Sequence, residues 1–179
     1  MSTEKDTDKS HEPVTAEQIE LDGFRDVDPW KSPERTQSKR HLPHLQTPES
    51  TYFVTFRCRK GLMLSDPAKE ILMSAIRHWN GLRLDVDAAV VMPDHVHLIF
   101  RILDGSSLSV VLQSIKGYSA RSINALLGRN GPFWLGESFD HVIRHEPELE
   151  EKIEYIRENP VTRGLAANWR KYRWLWIKE

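Results

Sequence analysis

A chain of 179 residues with a formal net charge of −1 is one domain with appendages, or at most two small domains. Its single cysteine, Cys58, excludes an internal disulfide framework and a multi-cysteine zinc site. No run approaches the roughly 18 apolar residues of a membrane span, and MSTEKDTDKSHEPV lacks the apolar core of a secretory leader, so a reducing cytoplasm is the expected setting.

The small net charge hides an asymmetry. Residues 1–50 hold 7 Lys/Arg and 11 Asp/Glu, whereas residues 51–179 hold 18 and 15. Residues 161–179 hold 5 and 1, so the expected core is mildly basic and ends in a basic tail. That balance permits a nucleic-acid partner without implying one.

Residues 1–45 are rich in charged residues, Ser, Thr and Pro and poor in periodic apolar residues. They read as a disordered or loosely packed acidic arm, with one short helix allowed over Val14–Phe24. The second domain is expected over residues 46–179, and the pattern changes from Thr51. TYFVTFRCR alternates and is aromatic and β-branched, so it is a strand. Pro67 opens a helix with Ile71, Leu72, Ala75, Ile76 and Trp79 at helical spacing, and Asn80-Gly81 closes it. Leu84–Met92 and His95–Leu103 are strands joined through Pro93-Asp94. Asp104-Gly105-Ser106-Ser107 supplies a turn and an N-cap for a helix whose apolar stripe runs from Leu108 to Leu126. A fourth strand is expected over Glu137–His145. A last helix starts at Pro147, buries Leu149, Ile153 and Ile156, and stops at Asn159-Pro160. The tail could add a short edge strand. The order β-α-β-β-α-β-α predicts an α+β fold. It is a ferredoxin-like split βαβ, an antiparallel sheet with helices on one face, plus a C-terminal helix.

His95-Val96-His97 is the most informative tripeptide. Residues i and i+2 of a strand share a face, so both imidazoles project together. The apolar flanks put this strand in mid-sheet, where two polar rings need partners. One reading is two hydrogen-bonded sheet histidines. The other is a divalent metal that takes one lone pair from each ring.

VVMPDHVHLIF as a unit resembles the His-hydrophobe-His single-strand nucleases. Within them it resembles the single-tyrosine transposases of insertion sequences, especially the REP-associated tyrosine transposases. WLGESFDHVIRHEPELEEKIEYIRENPVTRGL is similar to the same family's aromatic-rich strand, tyrosine-bearing helix and Asn-Pro stop. The resemblance covers about residues 45–179 and leaves the acidic arm outside.

The resemblance implies a nucleophilic tyrosine. Tyr52 lies in the first strand and Tyr172 in the tail, which leaves Tyr118 and Tyr155. Tyr118 sits at the edge of its helix's apolar stripe, where packing is plausible, with Lys116 and Arg121 nearby. Tyr155 falls more than a quarter-turn from the centre of its helix's buried stripe, and Asn159 lies one turn on, on the same face. The family places its tyrosine in this final helix before the Asn-Pro stop, which matches Tyr155, Asn159 and Pro160. The expected catalytic residue is therefore Tyr155, with His95, His97 and Asn159 holding Mg²⁺ or Mn²⁺.

Weaker candidates surround this set. Asp94 is either a partner for His95 or only a turn residue, and members of the family often carry Asn there. His141 could line the site or be a sheet histidine. Lys116, Arg121, Arg144, Arg170, Lys171 and Arg173 could hold phosphates or be solvated charges. The tail's mixture of bases and aromatics suits stacking on unpaired bases, although Trp174 and Trp176 fit an apolar closing strand better. Cys58 reads as a packed small residue.

The implied function is a metal-dependent DNA transposase, a single-strand DNA endonuclease and strand-transferase acting on REP-like hairpins through a 5′-phosphotyrosine intermediate. Its partner is single-stranded or hairpin DNA, with no membrane, and it works as a monomer or homodimer. One rival is a hairpin-binding protein of the same descent that no longer cuts. Another is a metal hydrolase unrelated to DNA, using both histidines with Asp94. That rival predicts activity that survives Tyr155→Phe.

Overall fold

The computed structural model describes residues 50–103 and 105–179. The acidic arm of residues 1–45, its Val14–Phe24 helix and Asp104 lie outside the described residues. Five strands and three α-helices follow in order: β1 (Thr51–Cys58), α1 (Asp66–Trp79), β2 (Leu84–Val91), β3 (His95–Ile102), α2 (Leu108–Leu126), β4 (Trp134–Ile143), α3 (Glu146–Thr162) and β5 (Leu175–Ile177). A 3₁₀ turn, Trp169–Lys171, precedes β5.

The sheet order is β4-β1-β3-β2-β5, and every neighbouring pair is antiparallel. The first four strands form the expected split βαβ, and β5 extends the sheet beside β2. β3 is the middle strand, which explains its nearly unbroken apolar run between two buried faces.

Strand alternation sorts the side chains. Tyr52, Val54, Phe56, Val96, Leu98 and Phe100 point to one face and are buried. α2 lies on that face: Lys116 sits over the Phe56 ring, and the Trp134 indole donates to Ser119 Oγ at 3.1 Å. α1 packs against α2. Phe53, Thr55, Arg57, His95, His97 and Ile99 point to the opposite face. α3 lies there, its Tyr155 ring against those of His97 and Phe53.

Several boundaries differ from the sequence expectation: β2, β3 and β4 end at Val91, Ile102 and Ile143 rather than Met92, Leu103 and His145, and two further differences have a clear cause. β4 begins at Trp134, three residues before the expected Glu137. Lys116 Nζ ties down the Leu135 and Gly136 carbonyls at 2.8 and 3.3 Å, and Trp134 packs edge-on against Phe56, so tertiary contacts override the glycine. Asn159-Pro160 does not stop α3, which runs to Thr162. Gly164 ends it, with φ of +67° in the left-handed region that glycine adopts most easily.

Candidate active site

His95 and His97 are almost fully buried in the middle strand. Their ring centroids are 4.8 Å apart, so the shared strand face does bring them together. Each ring is anchored at Nδ1. Asp94 Oδ1 lies 2.6 Å from His95 Nδ1, and Thr55 Oγ1 lies 2.7 Å from His97 Nδ1. Phe53 stacks on the His97 ring at 5.6 Å.

The electrostatics follow from this burial. Burial lowers the His95 pKa against the pull of Asp94. Burial also pushes His97 down to about 3, reinforced by the charges of His95, Arg57 and Arg163. Burial pushes the Asp94 carboxyl upward, but the His95 hydrogen bond and the same two arginines outweigh it and leave it low. A neutral His95 donating Nδ1–H to an ionised Asp94 satisfies both directions. That bond leaves the lone pair of His95 on Nε2.

α3 is set over the histidines by its own sequence signals. His145 is the N-cap and its Nδ1 accepts from Glu148 N at 3.3 Å. Pro147 occupies the first turn, with Glu146 and Glu148 at the positive end of the dipole. Glu148, Lys152, Tyr155 and Asn159 then recur at intervals of three and four, on one helix face. Tyr155 is half-exposed and its ring lies 5.1 Å from that of His97. Asn159 is buried one turn further on.

Tyr155 is singular among the four tyrosines. Tyr52 and Tyr118 are buried, Tyr52 on the opposite sheet face and Tyr118 on the helix that covers it. Tyr172 is buried in the tail and donates to the Val91 carbonyl at 2.8 Å.

A cavity of about 540 Å³ opens beside this cluster, with His97 and Tyr155 among its walls. His141 also lines it, and its Nε2 lies 2.6 Å from Glu148 Oε1. Glu148 accepts from Arg144 N at 3.0 Å as well, and that backbone bond, with the His141 contact, holds its carboxyl low. Sequence reasoning missed Phe53, Thr55, Arg57, Phe139, Glu148, Glu151 and Lys152 at this cavity. The strand register carried a signal for three of them. Thr55 faces His97 directly, Phe139 faces Thr55, and Arg57 faces His95.

The predicted phosphate-binding residues scatter. Lys116 is engaged with the β4 backbone and Ser138, and Arg121 is exposed on the same helix, α2. Arg144 is exposed at the β4–α3 junction. Arg170 lies over the Trp169 ring, Lys171 is exposed, and Arg173 pairs with Glu70 at 3.1 Å. Only Arg144 adjoins residues that line the cavity. Trp174 is buried beneath Lys69, whose ammonium sits 3.8 Å from the ring centroid.

The donor chemistry suits a divalent ion. His97 Nε2 and Asn159 Oδ1 are buried side-chain atoms without a hydrogen-bond partner. Orphaned buried polar atoms are rare, and a cation satisfies an imidazole nitrogen and an amide oxygen together. Among the described residues no three His, Cys, Asp or Glu side chains cluster for a metal. Asn159 Oδ1 is the amide oxygen that could complete such a set.

Fold and site together define a class: an α+β, ferredoxin-like domain with a histidine pair in its middle strand and a helix-borne tyrosine that shares one cavity with His97. Residues 51–159, more than half of the chain, match the family model described as transposase, IS200-like, and the protein belongs to that family. Among solved structures it is similar to a REP-associated tyrosine transposase bound to a REP hairpin. The TM-score is 0.61 and the identity 22%, over 79% of this chain and 82% of that one. A second, a proposed transposase from Deinococcus radiodurans, gives a TM-score of 0.44 at 22% identity over 69% and 96%. No curated protein matches. No helix among the described residues is long and apolar enough to cross a membrane.

Proposed function

We propose that this protein is a metal-dependent DNA strand-transferase that cleaves single-stranded DNA, at hairpin-forming repeats of the REP type, with Tyr155 as nucleophile. One observation carries the reading. Of four tyrosines, Tyr155 alone is exposed, and it stands over the His97 ring at the mouth of a cavity.

His95, His97 and Asn159 would hold Mg²⁺ or Mn²⁺, which when bound polarises the scissile phosphate and neutralises charge that develops on it. Asp94 and Thr55 keep the two imidazoles oriented through Nδ1. Arg57, at the cavity wall, attracts the DNA backbone, whereas Lys152 there is paired with Glu151 at 2.9 Å. The Tyr155 phenol attacks phosphorus in line. An O–P bond forms to Tyr155, the bond to the 3′ oxygen breaks, the phenol proton passes to solvent, and the leaving oxygen takes up a proton. The products are a 5′-phosphotyrosine and a free 3′-OH. Attack by a 3′-OH reverses the step, restores the phosphodiester and frees Tyr155, so strand transfer needs no ATP. The REP hairpin in the similar structure supports hairpin DNA as the substrate class.

The test is a denaturing gel for covalent protein–DNA adducts, with labelled single-stranded hairpins and Mn²⁺ or Mg²⁺. Wild type and Tyr118→Phe form the adduct; Tyr155→Phe and His97→Ala do not. An adduct that survives Tyr155→Phe overturns the assigned nucleophile. A hairpin shift without an adduct in wild type makes the protein a binder that does not cut. The mass of the complex in solution decides between monomer and homodimer.

A further inference from the structure

Phe139 is an anomaly in β4. It is 61% exposed, although it sits mid-strand on the face that carries the histidines. Its ring stands edge-on to Phe53 at 6.4 Å, and Phe53 in turn lies edge-on to Tyr155 at 6.1 Å. All three line the same cavity. Its volume, about 540 Å³, falls within the span of small-ligand pockets, roughly 300–1,000 Å³. Its charged lining is mixed: Arg57 and Lys152 stand beside Glu148 and Glu151, and Lys152 Nζ donates to Glu151 Oε1 at 2.9 Å.

An exposed aromatic ring with a cation such as Arg57 at the same cavity is what an unpaired nucleotide recognises, because the ring takes the base and the guanidinium takes the phosphate. We propose that Phe139 is a stacking platform for an unpaired base adjoining the phosphate presented to Tyr155. This deepens the proposed function and rests on it. Phe53 is buried and braces Phe139, so the ring is held rather than free to fold back. Stacking is tolerant of base identity, so Phe139 positions the strand and does not read its sequence. The site thus favours substrates with at least one unpaired nucleotide at the cleavage point, and a fully paired duplex cannot offer one.

The experiment uses the full chain and hairpins that carry 2-aminopurine at successive unpaired positions, one per oligonucleotide. Its fluorescence falls when it stacks on an aromatic ring. Quenching is expected at one position next to the cleavage site, and it is expected to disappear in Phe139→Ala and persist in Phe139→Trp. Phe139→Ala should bind the hairpin about tenfold more weakly, the order that base–aromatic stacking carries. An abasic site at the quenched position should cost wild type the same factor and Phe139→Ala nothing further. Additive losses overturn the contact, as does quenching that survives Phe139→Ala. A lost dimer with unchanged DNA affinity assigns the ring to a second copy instead and also overturns it. The parent reading fails separately: it fails when wild type forms no adduct, whatever Phe139 does.

Discussion

The two faces of one sheet do opposite jobs with the same alternation rule. On the face covered by α1 and α2, Phe56, Leu98 and Phe100 are closed off from solvent and meet apolar neighbours. On the face covered by α3, the middle strand offers two imidazoles, and the helix above them leaves Tyr155 half-exposed beside an open cavity. One face is sealed, so it supplies stability. The other keeps a hollow beside two orphaned lone-pair atoms, His97 Nε2 and Asn159 Oδ1, which cost stability and could supply chemistry.

The largest way to break this contrast is a core truncation. Phe100→Ala removes a fully buried ring and should cost about 3–5 kcal/mol, measured by urea unfolding. Tyr155→Phe removes a hydroxyl from a half-exposed side chain, so the unfolding midpoint should stay within about 0.5 kcal/mol of wild type. A large loss from the second variant would mean that the site face is also part of the core. Next in size is Thr55→Val, which keeps the shape but deletes the partner of His97 Nδ1. It should weaken Mn²⁺ binding about 10- to 100-fold by calorimetry while leaving the fold intact. Unchanged affinity would mean that Thr55 does not orient the ring.

How much of this could be read in advance depended on range. The histidine pair was legible because a period of two is local and its apolar flanks place it in mid-sheet. Tyr155 and Asn159 were legible as one helix face for the same reason, with a period of 3.6. What failed depended on distant partners. The fourth strand was expected from Glu137, yet β4 starts at Trp134 and runs through Gly136, whose carbonyl Lys116 holds from twenty residues earlier. Pro160 looked like a stop, yet α3 continues for two more residues until Gly164. For Lys116, weighed as a phosphate ligand or a solvated charge, the sequence showed the charge and hid its bonds to β4. Thr55, Phe139 and Arg57 became visible only through register, since each faces its neighbour across strands distant in sequence.

A smaller effect sharpens the comparison at the sheet's other end. Tyr172 seals the tail onto β2 through its bond to Val91, and burial, with a lesser push from Asp66, raises its phenol to about 12. A raised acid favours the neutral form in the fold. Its contribution is complete below the unfolded value near 10 and is lost as pH rises towards 12. Wild type should therefore lose up to about 1.4 kcal/mol per pH unit in that window, beyond the slope of Tyr172→Phe. At pH 7 the Phe variant should be about 1 kcal/mol less stable, the ordinary worth of one buried hydrogen bond. Parallel curves for the two proteins would show that the phenol is not held in the fold.

The smallest expected effect is the absence of one. Cys58 ends β1 on the sealed face, where burial, and then the charge of Asp94, push its thiol up to about 12. Reaction with alkylating reagents needs thiolate and access, and Cys58 offers neither in the folded chain. Folded protein at pH 8 should label far more slowly than protein in denaturant, on a mass-spectrometric time course. Asp94→Asn should speed it only slightly, because burial is the dominant cause and remains. Fast labelling of the native chain would mean that the first strand opens at its end beside Asp94, and the sealed face would then be less sealed than the site face it is set against.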